Sequence, residues 1–272
     1  MSAIYKIFFN NISDFHGVLF DAFNVTVSED GVISGPFVWI FVLAIVWIIV
    51  SYLIGSLNFS LIISKYIFHD DVRKYGSSNA GSSNMQRTYG NGAGAATLVC
   101  DMAKGILAVV IAKLLFGDNV AYLAGTFAII GHCYPVFFGF KGGKGVATAL
   151  AIILALHPFV ALIIMTLYAG IVLTTRYISL ASVISALCFP VVLDRYYAIV
   201  ARITESEASS PTLMMVICSI FIAIFIVFKH RTNIKKLWNG NENKLSFKKK
   251  AKKAAAEEAK APESLHTIDK EG

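Results

Sequence analysis

Charge is scarce in this sequence: 15% of its 272 residues are Asp, Glu, Lys or Arg, while 56% are hydrophobic. With a mean hydropathy of +0.66 against the quarter or so of charged residues that a soluble domain carries, there is too little polar surface to cover a soluble globule. Soluble architectures of one or several domains are thereby excluded. Cysteine is also sparse. Cys100, Cys133, Cys188 and Cys218 are scattered through apolar runs, with no CxxC and no Cys/His ligand spacing, which excludes a disulfide framework and a zinc site. No internal repeat is visible. A formal net charge of +7 would suit nucleic acid, but the basic residues flank hydrophobic segments or crowd one tail, so they report topology instead.

What is present is a series of apolar runs. A bilayer core about 30 Å thick asks for roughly 20 apolar residues per helix, and seven segments qualify, at about 38–63, 95–116, 120–139, 145–157, 158–175, 178–200 and 212–229. The fourth is short and ends at His157-Pro158, so it is expected as a partial span shielded by its neighbours. The expected fold is an all-α integral membrane protein of seven transmembrane helices. With the N-terminus outside and the C-terminus cytoplasmic, the inner side collects Lys65, Arg73, Lys74, Arg87, Lys141, Lys144, Arg176 and every basic residue from Lys229 onward. The outer side keeps only Lys6, Lys113, Arg195 and Arg202, as the positive-inside rule demands. The chain then divides into an extracytoplasmic extension at 1–36, a transmembrane domain at 37–247 and a Lys/Ala/Glu-rich tail at 248–272 that composition predicts to be disordered in the cytoplasm. Residues 1–36 hold no continuous apolar run of the kind a signal peptide needs.

Sorted by side, the polar features converge on the inner face. The first inner loop contains Gly76-Ser77-Ser78-Asn79-Ala80-Gly81-Ser82-Ser83-Asn84 and Arg87; the second is Phe140-Lys141-Gly142-Gly143-Lys144-Gly145; the third opens with Arg176 and carries Ser179 and Ser182; the last apolar segment ends in Lys229-His230 and is followed by Asn233. Close-set Gly, Ser and Asn permit turn and left-handed conformations in which successive N–H groups face one anion, although a plain flexible loop has the same composition. Gly142–Gly145 opens a helix, and helix N-termini favour anions. It is no Walker A, since Gly145 stands where a Ser or Thr would hold magnesium. Four such elements on one face favour a phosphate site. Asp101 and Lys104, three apart on an apolar segment, share a helix face and can neutralise each other. His132 sits at the inner end of the third segment, where it can orient a loop or contact substrate. His230 and Asn233 share a face and can reach one ligand or cap a helix. His16 and Asp21 have the HxxxxD spacing of one acyltransferase class, but they are expected outside, away from every anion-binding feature, and receive no function.

These residues resemble a known family. Gly55-Ser56, Asp71-Val72-Arg73, the Gly76–Arg87 run, Gly131-His132-x-Tyr134-Pro135 leading into Phe138-Gly139-Phe140-Lys141-Gly142-Gly143-Lys144-Gly145-Val146-Ala147-Thr148, then Arg176–Ser182, and His230-Arg231-x-Asn233-Ile234 are similar, in order, to the motifs of the bacterial acyl-phosphate:glycerol-3-phosphate acyltransferases, the PlsY family. The resemblance spans about 40–247. It implies the same seven-helix, N-out and C-in fold, and transfer of a fatty acyl group from long-chain acyl-phosphate to the 1-hydroxyl of glycerol 3-phosphate, giving lysophosphatidic acid and phosphate. It places Ser77, His230 and Asn233 as catalytic residues. Asn79, Asn84, Arg87, Lys141, Lys144 and Ser182 are placed as substrate-binding residues. The implied location is the bacterial cytoplasmic membrane, in contact with membrane lipid, with the site facing the cytoplasm. Two departures stand out: Ser82-Ser83 replaces the usual Ala-Thr, and Ser78 replaces a usual glycine, which would be strained at positive φ.

The residues agree with such chemistry. An acyl-phosphate already carries a good leaving group, so no covalent nucleophile is required, and the sequence has no Gly-x-Ser-x-Gly elbow. Catalysis would rest on positioning two anions and on cations and N–H groups facing the developing charge. No metal or other cofactor is expected, and no nucleic-acid partner. The alternative is a phosphate or organophosphate transporter with a cytoplasmic anion site.

Overall fold

In a computed structural model of the chain, residues 18–23, 26–27, 33–35, 37–205 and 210–245 are described; most of the expected N-terminal extension and the tail at 248–272 lie outside them. Apart from two residue pairs in an antiparallel ladder, Thr26 with Ser34 and Val27 with Ile33, the described structure is helical. The helices are α1 (Val18–Ala22), α2 (Phe37–Ser56), α3 (Phe59–Tyr66), α4 (Ser82–Tyr89), α5 (Asn91–Phe116), α6 (Asp118–Cys133), α7 (Val146–Leu156), α8 (Pro158–Thr175), α9 (Ile178–Thr204), α10 (Leu213–Lys229) and α11 (Arg231–Trp238).

Helices lie at all seven expected segments. Four stretches are long and apolar enough to cross a bilayer unaided: Val38–Ser56, Asp118–Phe138, Pro158–Thr175 and Ile178–Thr204. A fifth arises if α10 and α11, bent by 57° at their junction, count as one. α5 has the length but carries Asp101, Lys104 and Lys113. α7, with 11 residues, is about 16 Å long, roughly half the hydrocarbon thickness. Large apolar side chains such as Trp39, Ile49, Leu162, Leu173, Val191 and Ile224 are exposed around the bundle, as helices solvated by lipid require. The chain is a membrane protein.

The first expected segment, 38–63, is broken. Leu57 and Asn58 interrupt it, and Asn58 caps α3 by accepting from the Leu61 N–H, because a buried Asn with a local donor in reach ends a helix more readily than it continues one. Just before the break, α2 meets α6 backbone to backbone. A Cβ on Gly55 would lie 2.1 Å from the Ala128 carbonyl oxygen, and one on Gly131 would lie 2.2 Å from that of Tyr52. Glycine is thus required at both points, as in close helix crossings within lipid. α6 is the central helix, packed on α2, α5, α7 and α10, and it brings His132 and Cys133 to the end where the Gly-rich loops gather.

Candidate active site

The loop between α3 and α4 is held by its own polar contacts. Asp71 accepts from the Arg73 N–H at 2.9 Å and pairs with the Arg73 guanidinium, whose Nη2 lies 2.7 Å away. That guanidinium holds the Asp71 carboxyl below the usual carboxylate range. Arg73 Nη1 also donates to the backbone oxygens of Phe138 and Lys141, each at 3.1 Å, and so bolts the first loop to the second. The Asn84 carboxamide is consumed locally. Its Nδ2 donates to the Val72 and Tyr75 carbonyls at 2.9 and 3.0 Å, and its Oδ1 accepts from the Ser77 N–H at 3.0 Å. A Cβ on Gly76 would fall 2.3 Å from that Oδ1, which is why the neighbour of Ser77 is glycine. Ser78 has φ +53°, the left-handed region in which a non-glycine residue costs about 1–2 kcal/mol. The uncapped N-terminus of α4, at Gly81-Ser82-Ser83, faces the cavity and offers N–H groups to an anion.

The second loop folds back on the end of α6. Gly142 and Gly143 donate to the carbonyls of Cys133 and His132 at 3.2 and 3.1 Å, and Cβ atoms there would lie 2.1 Å from the His132 carbonyl oxygen and from its Nε2. The two glycines therefore admit no side chain, and the loop's turn carries Lys144 inward while Lys141 stays exposed. Lys144 Nζ donates to Asn233 Oδ1. Burial pulls its pKa down to about 8, against the attraction of Glu242, which acts to raise it.

Beneath the loops lies a buried Asp101–Lys104–His132 cluster. Lys104 Nζ reaches Asp101 Oδ1 at 2.7 Å, the Leu57 carbonyl at 2.8 Å and His132 Nδ1 at 3.0 Å, so each of its three protons has an acceptor. His132 Nδ1 is then the acceptor and the ring proton sits on Nε2, against Gly143. The pair expected from sequence is present, and His132 ties it to the second loop at Gly143.

At the other wall, Ser182 Oγ donates to the Ile178 carbonyl at 2.8 Å, leaving its lone pairs to accept. His230 interrupts the helix between α10 and α11, and its Nδ1 lies 2.8 Å from the Ile226 carbonyl. A carbonyl only accepts, so Nδ1 carries the proton and Nε2 of the neutral ring is the acceptor. Asn233, one turn on, donates to Glu242 Oε1 at 2.8 Å. Glu242 also accepts from Ser179 Oγ. It reaches the site because Gly240, at φ +70°, reverses the chain and Leu245 N–H anchors it to the Arg176 carbonyl at 2.7 Å. Sequence reasoning missed Glu242; a lone acid beside a Gly-Asn turn in a basic stretch was the signal.

Parts of both loops, the serine face of α9 and the His230–Asn233 turn border one cavity of about 730 Å³. Ser77, Asn79, Asn84, Arg87, Lys144, Ser182, His230 and Asn233 line it. Lys141, expected among the substrate contacts, is exposed and does not. Asn84 lines it with both amide protons already committed to the loop, which makes it a loop-building residue. At the helix ends that meet the inner loops the wall is polar. Two or three turns into the bundle it becomes Leu98, Met102, Ile153, Ile164 and Phe189. The void is shaped for a molecule with an anionic head and an apolar chain.

Residues 45–240 match the sequence profile of the family described as glycerol-3-phosphate acyltransferase. Among curated relatives, a glycerol-3-phosphate acyltransferase of Neisseria meningitidis serogroup B is 39% identical over 201 residues, covering 72% of this chain and 94% of that protein. Another, from Thermoanaerobacter sp. strain X514, is 37% identical over 209 residues, covering 77% and 99%. Two crystal structures of PlsY (YgiH), described as an integral membrane glycerol 3-phosphate acyltransferase, superpose on the chain. The glycerol 3-phosphate form does so with a TM-score of 0.64 at 35% identity, over 75% of this chain and 96% of that one. The lysophosphatidic acid form gives 0.63 at 34%, over 75% and 95%.

Proposed function

Since the chain belongs to the glycerol-3-phosphate acyltransferase family, whose activity it shares, we propose that it acylates the 1-hydroxyl of glycerol 3-phosphate from a long-chain acyl-phosphate at the cavity between the inner loops. The observation that carries this reading is the cavity's division into a cationic, Gly-rich end and an apolar end within the bundle. In the reaction the glycerol oxygen bonds to the acyl carbonyl carbon and the bond from that carbon to the phosphate oxygen breaks. Phosphate leaves with the electron pair, and the hydroxyl proton passes to a phosphate oxygen. Lys144 and Arg87 clamp the substrate phosphates, helped by Ser77, Asn79 and the N-terminus of α4. His230 Nε2 and the Ser182 lone pairs, both acceptors by the geometry above, orient glycerol hydroxyls, and Asn233 aligns Lys144. Such preorganised charge and positioning suffice for an activated donor.

The proposed setting is the bacterial cytoplasmic membrane, in contact with its lipid, with seven crossings, the N-terminus outside, the C-terminus inside and the site open to the cytoplasm. The basic residues on the inner loops support it. Residues 1–36 and 248–272 are read as appendages to the transmembrane domain at 37–247. Purified protein in detergent, given acyl-phosphate and labelled glycerol 3-phosphate, is expected to release lysophosphatidic acid and phosphate with no gradient present. Absence of product under those conditions would overturn the reading.

A further inference from the structure

Hydroxyls on helices in lipid have a standard partner, the carbonyl one turn back. Ser51, Ser56, Thr97, Thr126, Thr166, Thr174, Thr175 and Ser182 each donate to it, at 2.7–2.9 Å. Ser185 on α9 does not. It is 4% exposed, its Oγ has no hydrogen-bond partner, and it borders the cavity. A buried hydroxyl without a partner is costly to keep, and the local remedy, the Ala181 carbonyl, is left unused by the side chain.

Its place along the helix says what it faces. Ser179, Ser182 and Ser185 are spaced three apart on one side of α9. Ser179 is bound to Glu242 at the charged end, and Ser182 has its proton committed to Ile178. Ser185 lies one step deeper, about 4.5 Å along the axis from Ser182, and the next turn presents Phe189 to the apolar end. It therefore stands at the border between the two ends. An acyl-phosphate lying head outward and chain inward has one polar group at its own border, the carbonyl, a bond or two below the phosphate. That group offers an acceptor, and Ser185 alone of the three serines offers an uncommitted proton.

We propose that Ser185 Oγ–H donates to the carbonyl oxygen of the acyl donor and follows it as negative charge builds there during attack. This rests on the acyl-phosphate reading above. The hydroxyl moves no proton; it adds one hydrogen bond that strengthens as the oxygen gains charge.

The test is Ser185→Ala, a variant that removes an unsatisfied buried group from a helix and should fold at least as well as the parent. Its kcat is expected to fall between about a hundred- and a thousandfold, the range for losing one such donor. A long-chain alkyl phosphate of the same length lacks the carbonyl, and its inhibition constant against the donor should be unchanged; the thermal midpoint should hold or rise. Unchanged kcat would overturn the proposal. So would an equal weakening of the alkyl phosphate, or a fall in thermal midpoint that accounts for the lost rate, since either would make Ser185 a packing residue. Wild-type protein that forms no lysophosphatidic acid would instead defeat the acyl-phosphate reading, and this inference with it.

Discussion

Lys144 has a titration within experimental reach, because burial brings its pKa to about 8. It is cationic at neutral pH and loses its charge as pH rises through that value, while a bound phosphate favours the protonated form. Affinity for glycerol 3-phosphate is thus expected to be flat from about pH 7 and to fall above about 8, with Lys144→Arg abolishing that alkaline limb. Calorimetric titration between pH 7 and 10 checks this, and an identical limb in the arginine variant would remove Lys144 from the anion site. Arg87→Lys should lower kcat/KM by tenfold or more in the same assay, since a point charge replaces a bidentate fork. Ser78 tests backbone strain. At φ +53°, Ser78→Val should lower stability by more than about 1 kcal/mol while Ser78→Gly does not; thermal unfolding in detergent reads the difference. Eight of the nine residues expected from sequence line the cavity, because each stands in a contiguous motif that one loop or helix end carries as a unit. Lys141 and Lys144 could not be told apart by spacing. What separates them is the tie of Gly142 and Gly143 to the end of α6, a tertiary contact. Glu242 was hidden for the same reason, since its route to the site depends on one reversed turn at Gly240 and an anchor at Arg176.

Elements here are held by a few polar bolts in an apolar frame. The Asp101–Lys104–His132 cluster is one, with all three Lys104 protons satisfied. Lys104→Met should strand the Asp101 carboxylate and cost about 3–5 kcal/mol, and adding Asp101→Asn should recover part of it. Detergent unfolding of both variants checks this, and an additive or worse double variant would mean that the pair is not coupled. The helices at the seven apolar runs were legible from those runs, whereas the polar α4 stands where the sequence reads as loop. The break at Leu57-Asn58 was not, because a run of apolar residues on both sides of a capping Asn reads as one span; only the α2–α6 crossing at Gly55 and Gly131 shows where the chain turns.

At the scale of the molecule, the basic residues on the connections are the ground for the proposed sidedness, whereas the number of crossings depends on how the short α7 and the bent α10–α11 pair are shielded, which no periodicity records. A cysteine at position 30, in a background with the native cysteines replaced, should react with an impermeant reagent from outside, and one at 255 should not; the reverse pattern would invert the proposed orientation. The two-ended cavity has a consequence for what happens after the reaction. Product made with its phosphate among the loops and its chain among α5, α7, α8 and α9 is already aligned like a lipid of the adjoining monolayer. On the proposed function, leaving the protein is then a sideways step into the leaflet at constant depth, with no passage of the hydrocarbon chain through water and no flip of the headgroup.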